Sequence, residues 1–556
     1  TQGPHPVWEH GLNGRGQVVH VGDTGLDYDH CFFRDDSQPV VFYPQKNEKH
    51  RKVLSYQEMV EDDGTRDHTD PYSAHGTHVA GSVAGNSIGG NGVYNGMALE
   101  AKIFFTDLAD HSQSLYLPPD FDYYFRPALE MGAGVSSNSW GSNDVTTYYV
   151  DTDRETDVFS YFNQEMLIVV ASGNSGRRMG ILSPGSSKNA LATGSSGNNM
   201  MTRNDLSSFS GYGPSWDGRI KPEIVAPGQG IVSAQSDGRV NSNNCGTTSK
   251  SGTSMAAPLV AGACALIRQY FMDGWYPTGV PTPSHGFKPS AALVKGMAIH
   301  SGHPMQGRLG NRGGMLKGEL PEDAQGWGLM RVDHVLRFAD SPFNLHVENN
   351  VTLKHRERWH KCFHVDSGTL KVTLNWVDAV AAFGVRRTVV NDLHLTVDSG
   401  SAQWRGNRHT NDFETNNIIE TVQVEGASGT YRVEVYAKHV PVVFPAGQPL
   451  ALVLTGKGLR EAACPQTCGH CVHGQCVHGQ CVCNAAYHHV DCSLCDDDKL
   501  CHGHGKCHDE HLYKCTCDPH FVMDDCSQCE AGWYGPNCDS DCKCGDGHCD
   551  TVTGIC

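Results

Sequence analysis

No apolar run in these 556 residues reaches the roughly 18 needed to cross a bilayer as a helix. The nearest, Met255 to Ile267, is interrupted by Pro258 and Gly262. Basic residues are also in deficit, with 43 Lys plus Arg against 61 Asp plus Glu and a net charge of −18. That balance argues against nucleic acid or an anionic membrane surface as the main partner, because both select for basic patches. An initiating Met and an apolar leader are missing too, since the chain opens Thr1-Gln2-Gly3-Pro4. The start is therefore read as processed, with a signal peptide removed. Cysteine is scarce over the first 463 residues, where only Cys31, Cys245, Cys264 and Cys362 occur. The length exceeds what one core can serve, so three or four domains are expected.

What is present divides the chain into three. Residues 1–340 alternate short β-branched runs, such as Val18 to Val21, Lys102 to Phe105 and Met166 to Val170, with helix-like segments such as His78 to Val83. Continuous apolar runs of this length suit strands buried on both faces of a parallel sheet, which predicts an α/β domain. Over 345–458 the period changes to two: Leu370, Val372, Leu374 and Trp376 alternate with Lys371, Thr373 and Asn375. About eight such runs predict an all-β sandwich or jelly roll. Gly456-Lys457-Gly458 is read as a hinge into the third part. Residues 464–556 hold 19 of the 23 cysteines, which reads as a disulfide framework built in an oxidising compartment outside the cytosol. Asn350-Val351-Thr352 is a glycosylation sequon.

Three polar sites in the α/β region supply the parts of a nucleophilic triad. Asp23 ends an apolar strand, His75 opens a helical pattern in His75-Gly76-Thr77-His78, and Ser254 opens another in Gly252-Thr253-Ser254-Met255. A serine hydroxyl attacks only when an imidazole takes its proton, and the imidazole needs a carboxylate to orient it. Each site alone also suits a turn, a helix cap or half a metal site. In the order Asp, His, Ser, the three together are hard to explain by capping, and that chain order is the one used by subtilisin.

These motifs resemble those of the subtilisin-like serine peptidases. Ala171-Ser172-Gly173-Asn174-Ser175-Gly176 resembles the family segment carrying the oxyanion-hole asparagine, which implies that role for Asn174, with Gly173 at the substrate. Asn138-Ser139-Trp140-Gly141 resembles the strand that pairs with substrate backbone and walls the specificity pocket. The resemblance extends to Trp376-Val377-Asp378, Val390-Asn391-Asp392 and Asn416-Asn417, similar to the C-terminal barrel of bacterial alkaline, oxidation-tolerant subtilases. It implies a structural calcium ion at Asp378 and Asp392, with turn residues as the equal alternative. The loop Asn86 to Gly92 is shorter than the calcium loop it resembles, and no calcium is assigned there.

The tail resembles EGF-like modules, which implies the pairs Cys495–Cys507, Cys501–Cys515 and Cys517–Cys526. Eleven of the 31 histidines lie here; exposed loop histidines are preferred to zinc ligands, because zinc competes with disulfides for thiolates. Cys544-x4-Cys549-x6-Cys556 stops short of a full repeat and the cysteine count is odd, so the polypeptide is expected to continue. The expectation is thus a secreted or membrane-anchored serine endopeptidase. It would act on protein or peptide substrates and need no cofactor for its chemistry. The rival reading is a non-catalytic extracellular scaffold that binds a partner through the EGF-like tail.

Overall fold

A computed structural model describes residues 5–59, 70, 74–89, 92–110, 114–142, 148–239, 241–310, 314–382, 385–408, 413–442, 446–464, 471–477, 480–484, 487–488, 492, 494–507 and 515–543. Seven parallel strands form the first sheet. They are β1 (Val18–Asp23), β2 (Val53–Glu58), β3 (Lys102–Asp107), β4 (Ala133–Asn138), β5 (Leu167–Ala171), β6 (Leu191–Ser196) and β7 (Ile224–Pro227), in the order β2-β3-β1-β4-β5-β6-β7. The helices are α1 (Pro6–Glu9), α2 (His75–Ala84), α3 (Asp122–Glu130), α4 (Asp151–Phe162), α5 (Thr253–Met272) and α6 (Ala291–His300).

The continuous apolar runs follow from burial on both faces. Ile103, Phe105, Leu167 and Val169 join one core with α2 and α5, while Phe104, Ile168 and Val170 join a second core with Phe121, Tyr124 and Phe159. Successive side chains point to opposite faces, so a strand covered on both sides has no polar face to show. His20 sits within β1 with no exposure and bonds Ser136 Oγ at 2.8 Å and Thr106 Oγ1 at 3.0 Å. Burial lowers its pKa to about 3, so it is a neutral core histidine. Helix α5 is long and apolar enough to span a membrane, yet 89% of its apolar window is buried inside the molecule. It is the central core helix.

The second region pairs a four-stranded antiparallel sheet (Asn344–Leu353, Gln448–Lys457, Ser367–Trp376, Ile419–Val424) with a five-stranded one (Gln403–Arg405, Asp392–Asp398, Gly429–His439, Arg358–Val365, Arg460–Ala462). Leu370, Val372, Leu374 and Trp376 are buried, in line with the period-two pattern. The polar alternates do not face water, however. Thr373 and Asn375 are buried under α6, where Asn375 Nδ2 donates to Ala292 O and Thr373 Oγ1 bonds His300 Nδ1. All ten residues of α6 are buried, so one apolar core runs through both regions.

The hinge expected at 456–458 is not there. Gly456 and Lys457 belong to a sheet strand, residues 460–462 pair with 362–364, and Cys362 is bonded to Cys464. Beyond that point the described tail consists of two-stranded ladders and one short helix (Asp497–Leu500) held by disulfides, including the three pairs named from the EGF resemblance. Three of its described histidines are ring partners: His473 stacks on Tyr487 at 4.0 Å, His504 on Phe521 at 4.0 Å and His520 on Trp533 at 3.6 Å. Cys544, Cys549 and Cys556 lie outside the described residues. The odd cysteine count no longer argues for continuation. Cys264 is a free thiol buried in α5, and removing it from 23 leaves an even number.

Candidate active site

Strands β1, β4 and β5 are neighbours in mid-sheet, and their C-terminal ends deliver Asp23, Ser139 and Asn174 to one edge. In an open parallel sheet this edge is where ligands bind. Helices α2 and α5 bring His75 and Ser254 to the same edge in their first turns.

His75 Nδ1 lies 2.7 Å from Asp23 Oδ1, with Asp23 only 1% exposed. The close approach of α2 to the loop after β1 requires Gly76, whose Cβ would come within 2.2 Å of Gly25 O. Burial disfavours the charged imidazole of His75. The charge and hydrogen bond of Asp23 outweigh it, helped by the charge of Asp70, and the net effect raises the pKa above its ordinary value. Asp23 Oδ1 also accepts from the N–H and Oγ1 of Thr24, at 2.9 and 3.2 Å. The carboxylate is thus fixed before substrate arrives.

Ser254 is nearly buried, at 9% exposure. Its Oγ donates to Ser139 O at 3.0 Å, and Ser139 Oγ donates back to Ser254 O at 2.8 Å. Asn174 is exposed, and its Oδ1 accepts from the N–H and Oγ1 of Thr253 at 2.9 and 3.0 Å. With the carbonyl oxygen so held, the Nδ2 donors are left facing the groove. Gly173, at φ +102°, makes this turn and donates its N–H to Thr253 Oγ1. The start of α5 adds partial positive charge beside the nucleophile, where an oxyanion would develop.

Sequence reasoning missed three residues here; a fourth, Leu182, stands in the sequence with Ile181 as an apolar pocket rim whose floor the sequence does not locate. Asp70 is buried, accepts from Thr24 Oγ1 and the Thr77 N–H, and is raised to about 6 by burial. Thr24 links it to Asp23, and Thr253 orients Asn174. The Leu182 N–H donates to Ser172 O while Ser183 O accepts from the Ser142 N–H, so residues 182–183 bridge the ends of β4 and β5. The only advance signal for the other three was polar residues flanking the motifs.

The ring of Trp140 is buried in the second core against Phe121 and Tyr124. One expected role is corrected. Asp378 and Asp392 do not form a calcium site. Asp378 already holds the Lys188 ammonium at 2.7 Å and accepts from the N–H groups of Val390 and Asn391. The same ammonium donates to Ala379 O and Thr388 O, so the cationic position is filled by the protein's own lysine. Asp392 faces Arg387 at 3.3 Å and His394 at 3.5 Å. His78, the second histidine of the motif, bonds Ile231 O and is no metal ligand. Asn350 is exposed, at φ 60° in an irregularity of the strand Asn344–Leu353.

Residues 14–328 match the profile of the Subtilase family. Over 520 residues the chain is 28% identical to the serine protease/ABC transporter B family protein tagD of Dictyostelium discoideum, covering 71% of this chain and 28% of that protein. It is 31% identical over 285 residues to the serine protease AprX of Bacillus subtilis, covering 47% of this chain and 59% of the relative. The chain spans between a fifth and a third of the length of its Dictyostelium relatives. Among solved structures, Sphericase aligns with 58% of this chain and 92% of its own, at 22% identity and a TM-score of 0.42.

Proposed function

The chain belongs to the subtilase family and is a serine endopeptidase, and from that premise we propose how its own residues carry out the reaction and which bonds it cuts. The observation that carries the proposal is the Asp23–His75 bond at the sheet edge shared with Ser254 and Asn174. Ser254 Oγ leaves its contact with Ser139 O, gives its proton to His75 Nε2 and attacks the substrate carbonyl carbon. The oxyanion of the tetrahedral intermediate takes hydrogen bonds from Asn174 Nδ2 and the Ser254 N–H. Collapse breaks the C–N bond as the imidazolium returns its proton to the leaving amine. Water then reverses the sequence on the acyl-enzyme. Asp23 stays ionised, holding the imidazole in one tautomer and offsetting its charge.

The side chain next to the scissile carbonyl enters the slot between residues 139–141 and 172–174. Leu182 fills that slot: a Cβ on Gly173 would come within 2.4 Å of Leu182 Cγ, and one on Gly141 within 3.3 Å of Leu182 Cβ. A slot closed from both walls by an isobutyl group takes small side chains, so we assign cleavage after Gly, Ala or Ser. The dense disulfides support an extracellular setting, and the exposed Asn350 supports a glycan there.

The test is Ser254→Ala against a fluorophosphonate probe and a peptide library. The expected outcome is loss of labelling and of peptide cleavage in the variant. Cleavage at the wild-type rate would overturn the mechanism.

A further inference from the structure

The loop that follows β1 carries two more carboxylates, apart from the triad. Asp27 and Asp29 are 0% and 8% exposed. One oxygen of each is served: Asp27 Oδ2 accepts from the Asp237 N–H at 3.2 Å and Asn244 Nδ2 at 2.8 Å, and Asp29 Oδ2 from the Asn243 N–H at 2.7 Å. The other oxygen of each, Oδ1, is buried and has no donor. The two carboxyl groups, on either side of Tyr28 in sequence, interact with one another.

No basic group offsets them among the described residues. His30 is a neutral imidazole, its Nδ1 accepting from the Phe32 N–H and its Nε2 donating to Gly246 O. Arg34 is turned to Asp36 and to Asn243 O. Tyr28 and Glu58, the other titratable neighbours, bring no positive charge. Two carboxylates removed from water in this way must take up either a proton or a cation.

We propose that Asp27 and Asp29 bind a hard divalent cation of the calcium type through their two Oδ1 atoms. Calcium takes six to eight oxygen ligands and accepts carboxylates, amide and backbone carbonyls and water in flexible arrangements. The facing loop, residues 235–239 and 241–246, is rich in such oxygens, with Asp237, Asn241, Ser242 and Asn243 all exposed. The same two loops are already joined by Cys31–Cys245 and by the Cys31 N–H to Asn244 O. A cation here would fasten the segment after Asp23 to the hairpin β8 (Ile231–Ala234) and β9 (Thr247–Lys250), which leads into Ser254. This site does not depend on the peptidase assignment.

The probes are Tb3+ and Ca2+ on the full chain. Tyr28, adjacent to the pair in sequence and half-buried, serves as the sensitiser. The expected results are a saturable tyrosine-sensitised Tb3+ luminescence displaced by Ca2+, and a rise in Tm of about 3–6 °C at saturating Ca2+. Asp27→Asn and Asp29→Asn each lower the Ca2+ affinity at least about tenfold. Tyr28→Phe dims the luminescence and keeps the Tm rise. The proposal falls if the wild type gives no saturable signal, or if signal and Tm rise persist in both Asn variants. It falls equally if the luminescence is undiminished in Tyr28→Phe. The first two would leave the pair holding a shared proton only, and the third would put the bound ion away from Tyr28.

Discussion

The catalytic region and the cysteine-rich tail reach rigidity by opposite means. In the former, strands and helices bury Val, Ile, Leu and Phe on two faces of a sheet, and its one free thiol, Cys264, is sealed in that core. In the tail, every buried apolar residue among those described is a cysteine: Cys492, Cys501, Cys526, Cys529 and Cys538. Val472, Val477, Val482, Val522 and Met523 stay exposed there. A short segment cannot bury enough apolar area to offset its chain entropy, so covalent bonds replace a core. Fold stability and chemistry are therefore separable along this chain.

The most forceful test of that separation removes one crosslink from each region. By loop-closure entropy, Cys31→Ser/Cys245→Ser should cost about 5 kcal/mol and Cys517→Ser/Cys526→Ser about 2–3 kcal/mol, because the bonds span 214 and 9 residues. The comparison is sharpened by where function is lost. With a core to fall back on, the first variant should stay folded and active at a lower Tm, while the second unravels its repeat. Differential scanning calorimetry and limited proteolysis read both. A catalytic region that unfolds outright in the first variant would break the comparison.

Next in size is Asn174→Ala. It should lower kcat by about 10²–10³ with little change in KM, since the donor acts mainly on the transition state. The tail disulfide map should be untouched. Leu182→Gly follows: opening the slot should shift preference toward large apolar side chains by about 10–100-fold in kcat/KM, read from a peptide library. An unchanged profile would remove Leu182 from the specificity site.

The smallest effect is the pH response of His75. Activity needs the neutral base, so kcat/KM should rise as pH climbs through a value above the ordinary 6.5 of histidine, toward which Asp23 pushes it. Stability should move the other way. A raised folded pKa contributes stability that is full below the unfolded pKa and lost as pH rises through the folded one. Asp23→Asn should flatten both profiles, while the tail pairs His502–Asp525 and His520–Glu530, which are exposed to solvent, should add little to either.

The extent to which sequence disclosed this molecule follows the same division. Asp23, His75, Asn174 and Ser254 stood in contiguous motifs, and the parallel strands stood in apolar runs, so both were readable locally. Leu182 was readable with Ile181 as an apolar pocket rim but not as the pocket's filling, because its place between Gly141 and Gly173 depends on two other strand ends. Asp378 looked like a cation ligand because its partner, Lys188, lies 190 residues away. Thr373 and Asn375 read only as the polar alternates of their strand, because nothing in that strand announces α6 above them. The Asp27–Asp29 pair was equally silent: its meaning comes from atoms that lack a partner, which no linear pattern records.

The bond between Cys362 and Cys464 has a mechanical meaning. Arg460–Ala462 is the outermost strand of its sheet and makes only three residue pairs, the kind of edge that a pull would unzip. Cys464 lies just past it, and Cys362 sits within Arg358–Val365, a strand paired on both sides. Load applied to the tail therefore bypasses the weak edge and enters the sandwich through an interior strand. A pull on the tail would be borne by the β region, and the Asp23–His75 geometry would stand outside the load path.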